Sequence, residues 1–232
     1  MLECSICGGT QFSSREILWD ELIAAWGLSR EEVEYINRQQ GCFCVACRAN
    51  LRVVALGEAV RDALGVEGPM TAWTADPRLA GLRVLDVNGA TAISNALSHL
   101  PGYVRGNFPE VNMEALPYPA AAFDLVVHSD TLEHVPHPLR GLEECRRVLR
   151  PGGHLCFTIP VVVGRLTRSR DGLPPSWHGN SSQNSDDYLV QTEYGADMWT
   201  QVMRAGFTRV TLHQVSYPAA IAITAWTPPA RN

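Results

Sequence analysis

The chain has 232 residues, a formal net charge of −5 and no lysine, so all 19 basic residues are arginine. This length holds one full α/β domain plus a small module. The absence of lysine excludes a pyridoxal Schiff base or a P-loop lysine, and an acidic balance without a basic stripe argues against a nucleic-acid partner. No apolar run approaches the ~20 residues of a membrane span. The opening "MLECSICGG" lacks the basic and apolar regions of a secretory signal, so a cytoplasmic protein with no membrane partner is expected.

Residues 1–50 open with Cys4-x-x-Cys7 and close with Cys44-x-x-Cys47. A Cys-x-x-Cys turn aims two thiolates at one centre, and two such turns complete a closed tetrahedral zinc site. A structural zinc on Cys4, Cys7, Cys44 and Cys47 is therefore expected. Cys42 rivals Cys44, but only the 44/47 pair has the knuckle spacing. Cys145 and Cys156 stand alone in apolar surroundings and read as inert core residues. The segment between the knuckles, "REILWDELIAAWGLSREEVEYINRQQG", has helical spacing with Leu18, Leu22 and Ala25 on one face. Ser29 with Glu32 forms a capping box for a second helix ending near Gly41. Residues 50–65 read as a third amphipathic helix ending at Gly65, so a helical module over 1–65 and a linker over 66–81 are expected.

From residue 82 the pattern becomes β/α. "LRVLDV" reads as a buried strand, "TAISNALSHL" as a short helix stopped by Pro101-Gly102, and "YVRGNF" as a second strand. Residues 123–129 form a strong buried strand and 138–149 an amphipathic helix. Pro151-Gly152-Gly153 reads as a tight turn into the strand "HLCFTIPVV". Residues 164–192 are polar and read as a long loop. "YGADMWTQVMRAGF" reads as a helix, and two final strands as an antiparallel pair. Strands alternating with helices imply an α/β fold with a Rossmann-like, mostly parallel sheet over 82–232.

Ligands of open parallel sheets bind at the carboxyl ends of strands. Strand 123–129 delivers His128, Ser129 and Asp130 there, with Glu133-His134 and His137 just beyond. A histidine titrates in the range needed to take a proton from an oxygen acceptor, which makes His134, His128 and Asp130 the catalytic candidates. The same histidines with Glu133 could instead hold a second metal. The loop residues Arg165, Arg168, Arg170, Trp177 and His178 suit an anionic, ring-bearing small molecule, because arginine forks match phosphate and carboxylate.

The run "NMEALPYPAAAFDLVVHSDTLEHVPHPLRGLEECRRVLRPGGHLCFTIP" (112–160) resembles the central part of the class I S-adenosylmethionine-dependent methyltransferases of small molecules. It carries, in order, the Leu-Pro-aromatic loop, Phe-Asp-Leu-Val, Leu-Glu-His-Val and Arg-Val-Leu-x-Pro-Gly-Gly. The resemblance implies S-adenosylmethionine as cofactor. It makes "VLDVNGAT" (84–91) the methionine-binding turn, with Asp86, Asn88, Gly89 and Ala90, and puts Asn112, Met113, His128 and Ser129 along the rest of the cofactor. Methyl transfer to a sugar or natural-product intermediate, at oxygen, is the expected reaction. His-Ser-Asp in place of an Asn-Pro-Pro-aromatic strand end favours oxygen or carbon over nitrogen as acceptor.

Two departures stand out. Asn88, Ala90 and Ala92 occupy places where the family carries glycines, although asparagine tolerates positive φ. Only 36 positions separate Asp86 from Phe123, where a full βαβ pair with its loop needs about 50. The fold is therefore shortened by about one helix, and Glu110 is the only acid placed to meet a ribose. The alternative reading is a non-catalytic methyltransferase-like scaffold.

Overall fold

The computed structural model describes residues 2–89, 91–177 and 186–229. The N-terminal segment contains β1 (Phe12–Ser13), α1 (Asp20–Trp26), α2 (Arg30–Gly41), β2 (Phe43–Cys44) and α3 (Leu51–Leu64). The capping box forms as the sequence demands: Ser29 accepts from the Glu32 N–H while Glu32 accepts from the Ser29 N–H. α3 is capped by Asn50 and stopped by Gly65 at φ +62°. The first helix starts later than its apolar spacing suggests. The Asn37 side chain accepts from the Ile17 and Leu18 N–H groups, and Arg15 pairs with the Gly41 carbonyl, so 15–18 stay outside the helix.

The rest of the chain runs β3 (Arg83–Val87), α4 (Thr91–Leu97), β4 (Gly102–Gly106), β5 (Phe123–Ser129), α5 (Pro138–Val148), β6 (Leu149–Thr158), β7 (Val161–Val162), β8 (Arg168–Ser169), β9 (Thr192–Gly195), α6 (Trp199–Arg204), β10 (Arg209–Val215) and β11 (Ala220–Trp226). Six strands form the main sheet in the order β10-β11-β6-β5-β3-β4. β4, β3, β5 and β6 are parallel, while β11 and β10 are antiparallel additions. The inner strands β3 and β5 are buried on both faces, which is why they read as nearly continuous apolar runs, while the edge strands β4 and β10 are part exposed. Val84, Leu125, Val127, Cys156 and Ala222 share one core with α3 and α4. Leu85, Val126, Leu155, Phe157 and Ile223 share the other with α5 and α6. Cys4, Cys44 and α3 belong to the first of these cores, so the N-terminal segment and the sheet pack together without a break. No helix among the described residues is long and apolar enough to cross a membrane.

Two elements differ from the sequence reading. The helix expected over 194–207 is confined to Trp199–Arg204, because Tyr194 and Gly195 pair with Val161 and Val162. Pro151-Gly152-Gly153 is not a turn between helix and strand but a bulge inside β6. Phe123 faces Leu149 and then Leu125 faces His154, with Gly152 at φ +76° absorbing the slip. The missing helix is where the spacing puts it: β4 connects to β5 with a single 3-10 turn, Met113–Ala115.

Gly57 reports how closely α3 approaches the N-terminal strand of chain. Helix propensity alone favours alanine there by about 1 kcal/mol. A Cβ would lie 2.3 Å from Ser5 Oγ and 2.8 Å from Ile6 Cδ1, where the Ser5 hydroxyl donates to the Val54 carbonyl. Gly57→Ala is expected to lower stability by about 1–3 kcal/mol through overpacking, read as a lower denaturant midpoint at unchanged slope. A midpoint at or above wild type would show that the contact is slack.

Candidate active site

A cavity of about 630 Å³ opens at the carboxyl ends of β3, β4 and β5. That volume is ordinary for a small-molecule site. It lies where the connection from β3 goes to one side of the sheet, to β4, and the next connection returns to the other side, to β5. This is the topological switch point at which open α/β sheets bind ligands.

One side of the cavity is the turn after β3. Asn88 adopts φ +64° and Gly89 φ +72°, so the asparagine does take the left-handed conformation. Its Oδ1 accepts from the Phe108 N–H at 2.8 Å and its own N–H donates to the Gly106 carbonyl at 2.8 Å. These bonds tie the turn to the end of β4. A Cβ on Gly89 would fall 2.4 Å from the Arg105 guanidinium, the movable end of an exposed side chain, so it is the positive φ that favours glycine here. Ala90 lies outside the described residues. Asp86 is fully buried behind the turn and accepts from the Tyr103 hydroxyl at 2.7 Å. It does not line the cavity, and burial raises its pKa against the hydrogen bonds of Ser94 and Tyr103. The residue facing the cavity beyond β4 is Asn107, whose Oδ1 accepts from Arg105 Nε. Glu110 is exposed and not part of the lining. Asn112 and Met113 do line it; Asn112 Oδ1 caps the 3-10 turn through the Glu114 N–H.

The opposite side carries Ser129, Asp130, His134 and, from the later loop, Asp187, Tyr188, Leu189 and Gln191. Ser129 Oγ shares a hydrogen bond with Thr158 Oγ1 at 2.8 Å. Asp130 stands at φ +51° and is paired with Arg52 Nη2 at 2.9 Å. His134 Nδ1 lies 3.1 Å from the Leu189 carbonyl, which fixes the Nδ1–H tautomer, and Nε2, the acceptor nitrogen, lies 3.7 Å from Oε1 of the buried Glu133, whose pKa burial raises. Burial lowers the His134 pKa, opposed by that hydrogen bond and by Asp130. Burial also raises the Asp130 pKa, opposed first by Arg52.

His128 takes a different place from the one its sequence position suggests. It is fully buried, stacks on Phe157 with ring centroids 4.7 Å apart, and does not line the cavity. Burial pushes its pKa down to about 3.

The loop arginines are not in the cavity either. Arg165 binds Glu32 through Nε and Nη2, both at 2.7 Å, and donates to the Trp26 and Gly27 carbonyls. It clamps the α1–α2 turn. Arg168 and Arg170 both pair with Glu193, and Arg170 also donates to the Pro174 carbonyl. Trp177 bridges Leu189 outside the lining, and His178 lies outside the described residues. The anion-binding set inferred from composition is thus engaged in internal ion pairs. Sequence reading missed Asn107, Phe108, Tyr188, Gln191 and Arg52. No motif marks them, and only the burial of a lone arginine beside Asn50 could have drawn attention to Arg52.

Away from the cavity, the Sγ atoms of Cys4, Cys7, Cys44 and Cys47 all lie within 4.8 Å of one another. Cys4 faces Cys47 and Cys7 faces Cys44, each at 3.6 Å. Cys42 follows α2 and stays out of the cluster.

Residues 65–157 match the family model described as a methyltransferase domain. A ubiquinone/menaquinone biosynthesis C-methyltransferase of Bartonella bacilliformis is 27% identical over 68% of this chain and 76% of its own length. A chloroplastic 2-methyl-6-phytyl-1,4-hydroquinone methyltransferase of rice is 44% identical over 24% of this chain, which spans only 17% of that relative. An S-adenosylmethionine-dependent methyltransferase structure from Mesorhizobium loti aligns over 74% of this chain and 97% of its own, at 17% identity and a TM-score of 0.43. The domain match and the relatives support an S-adenosylmethionine-dependent methyltransferase, and the matched span contains β3, β4, β5 and the lining residues from Asn88 to Pro136.

His128 also sets an acid limit on the fold. The unfolded chain binds a proton near pH 6.5 and the folded chain only near pH 3. Stability from this group is therefore full above pH 6.5 and falls by about 1.4 kcal/mol per pH unit as pH drops through the window between the two values. Replacing His128 with Phe is expected to flatten the fall in chemical stability between pH 7 and pH 4. An identical fall in the variant would assign the acid sensitivity to other groups.

Proposed function

We propose that this chain, an S-adenosylmethionine-dependent methyltransferase by its domain and its relatives, methylates a ring carbon of an uncharged hydroquinone-like small molecule. The observation that carries the reading is the lining of the switch-point cavity. Among the described residues it holds three carboxylates, Glu114, Asp130 and Asp187, and no arginine. Such a wall suits a sulfonium cofactor and an acceptor without charge. It does not suit the anionic sugar or acyl substrates for which Arg165, Arg168 and Arg170 were candidates. The relatives' names, a C-methyltransferase and a hydroquinone methyltransferase, favour carbon over the oxygen first expected.

The residues present fit the cofactor. The left-handed Asn88–Gly89 turn exposes backbone to the cavity, and Asn107 and Asn112 offer amide groups where the ribose and adenine acids of the family would stand. Asn112 Oδ1 is occupied by the capping bond, which leaves its amide N–H₂ to donate. When bound, S-adenosylmethionine supplies an electrophilic methyl on a sulfonium leaving group. The chain's own task is to hold the acceptor in line with that methyl and to handle a proton. His134 Nε2 accepts the proton of a ring hydroxyl as the adjacent ring carbon takes the methyl; that carbon then releases its own hydrogen to solvent as a proton, and the ring oxygen takes back the proton held on His134, restoring the aromatic ring. Asp130, across the same wall, accepts a hydrogen bond from the acceptor. A neutral imidazole suits this role, and the lowered His134 pKa keeps it neutral below the usual histidine range.

Calorimetry with S-adenosylhomocysteine tests the cofactor part, with micromolar binding expected in wild type. Gly89→Val should weaken it at least about tenfold, because a β-branched residue is strained at φ +72° in the turn that faces the cavity. Activity toward 1,4-naphthohydroquinone should fall about 10²-fold in His134→Ala with cofactor affinity retained, and the acid limb of its pH profile should lie below 6.5. Binding of no cofactor at millimolar concentration would return the protein to the scaffold reading. An acid limb at or above 6.5 would remove His134 as the base.

A structural zinc on the four cysteines is part of the same proposal. Four thiolates at about 2.3 Å from one tetrahedral ion stand roughly 3.8 Å apart, close to the 3.6 Å of the two facing pairs. Protein purified without added metal should contain about one equivalent of zinc, Cys42→Ser should retain it, and Cys47→Ser should lose it with a lowered melting temperature. Full metal content in Cys47→Ser would overturn the assignment.

A further inference from the structure

The cavity wall contains a contribution from the far N-terminal segment that the methyl-transfer chemistry described above does not use. Arg52, in the first turn of α3, is 4% exposed. Its Nη2 donates to Asp130 Oδ2 at 2.9 Å across 78 positions of sequence. Its Nε and Nη1 have no hydrogen-bond partner among the described residues. A guanidinium buried on one hydrogen bond is an expensive choice if only stability were at stake. Asp130 is held on three sides. Its N–H donates to the Thr158 carbonyl at 3.0 Å, its backbone is left-handed at φ +51°, and Oδ2 faces Arg52. Oδ1 is itself buried without a hydrogen bond to the described residues, while the side chain as a whole is one-third exposed on the cavity wall.

We propose that Arg52 is a positioning residue for the acceptor: by holding Asp130 through Oδ2 it fixes the exposed part of that side chain in the cavity wall, where the carboxylate takes a hydrogen bond from an acceptor hydroxyl. The inference rests on the methyl-transfer reading only for the identity of the acceptor; the positioning of Asp130 stands on the geometry. Arg52 is fixed in turn by the cysteine cluster. The Cys44 N–H donates to the Ala49 carbonyl, the Leu51 N–H donates to the Cys42 carbonyl, and Asn50 caps α3 through the Val53 N–H. No free loop separates the 44/47 knuckle from Arg52. The N-terminal segment therefore supplies part of the acceptor wall instead of merely preceding the sheet.

The test uses the full-length, zinc-loaded protein with three readouts: amide hydrogen exchange, S-adenosylhomocysteine calorimetry and methyl transfer to 1,4-naphthohydroquinone. Arg52→Met is expected to raise exchange in 128–135 about tenfold and lower kcat about tenfold, with cofactor affinity within about threefold of wild type. Arg52→Lys, which keeps the charge, should recover part of both losses. Unchanged exchange in 128–135, or equal loosening of all of β5 without recovery by lysine, would overturn the proposal. If wild type neither binds S-adenosylhomocysteine nor methylates the probe, the methyl-transfer reading fails while the exchange comparison still decides the role of Arg52. Should Arg52→Met not fold, Arg52→Gln and Asp130→Asn replace it. Their double variant should raise exchange no more than the larger single one, and additive effects would overturn the coupling.

Discussion

The packing of α3 against the sheet is the constraint on which the other parts depend. Nine of its fourteen residues are buried, among them Val54, Leu56 and Val60, with Arg52 at its leading end. Apolar burial on this scale is non-directional, but it fixes a helix axis to within a side chain's width because interiors are close-packed. Once α3 is fixed, the knuckle at its N-terminus and the strand of chain under Gly57 have only one place to go. The cysteine cluster, the α1–α2 hairpin and Arg52 are thereby set relative to β5 and β6. The short apolar contact of Tyr35 and Ile36 with Val162 then closes the hairpin over the loop that follows β7.

Charge is distributed by the same logic. With no lysine in the chain, the cations are planar forks, and three of them satisfy a carboxylate and a carbonyl together. Arg165 joins Glu32 to two helix-end carbonyls, Arg147 joins Glu144 to the carbonyls of Leu116 and Tyr118, and Arg170 joins Glu193 to Pro174. These forks hold loops in place around the cavity and stay outside it. The cavity keeps the carboxylates, and of the arginines beside it Arg105 bonds Asn107 and the Asn88 carbonyl while Arg52 is turned to Asp130 from behind.

Local features of the sequence were legible because their physics is local. The Ser29–Glu32 capping box, the Gly65 stop, the left-handed Asn88 and the strand 123–129 follow from a few adjacent residues. The paired knuckles were legible because metal geometry dictates their spacing, and the cluster forms on the residues that spacing selects. What could not be read depends on partners far away in sequence. Arg165 looks like a substrate residue until Glu32, 133 positions earlier, claims it. His128 looks like a base at a strand end until its side chain turns into the core against Phe157. Pro151-Gly152-Gly153 has turn composition, yet the pairing of Leu149 with Phe123 makes it a bulge. Asn107 and Tyr188 belong to no motif at all, and only the closing of the chain around the switch point makes them neighbours.

The shortened connection after β4 explains the shape of the site more than the lost glycines do. Where a second crossover helix would cover the edge, β4 is the last strand of the sheet, and Val104 and Phe108 are left 38% and 48% exposed. The residues of that connection must then serve as wall and cover together. Val111 fills the space beneath Gly106, where a Cβ would lie 2.8 Å from its methyl groups. Phe108 is held against Asn88 by its own N–H. A turn with fewer glycines is stabilised here because Asn88 Oδ1 bonds to this compressed segment, a contact that a glycine could not make. The asparagine thus does at the turn what packing alone does elsewhere: its side chain and its N–H tie the end of β3 to both ends of the short segment that leaves β4.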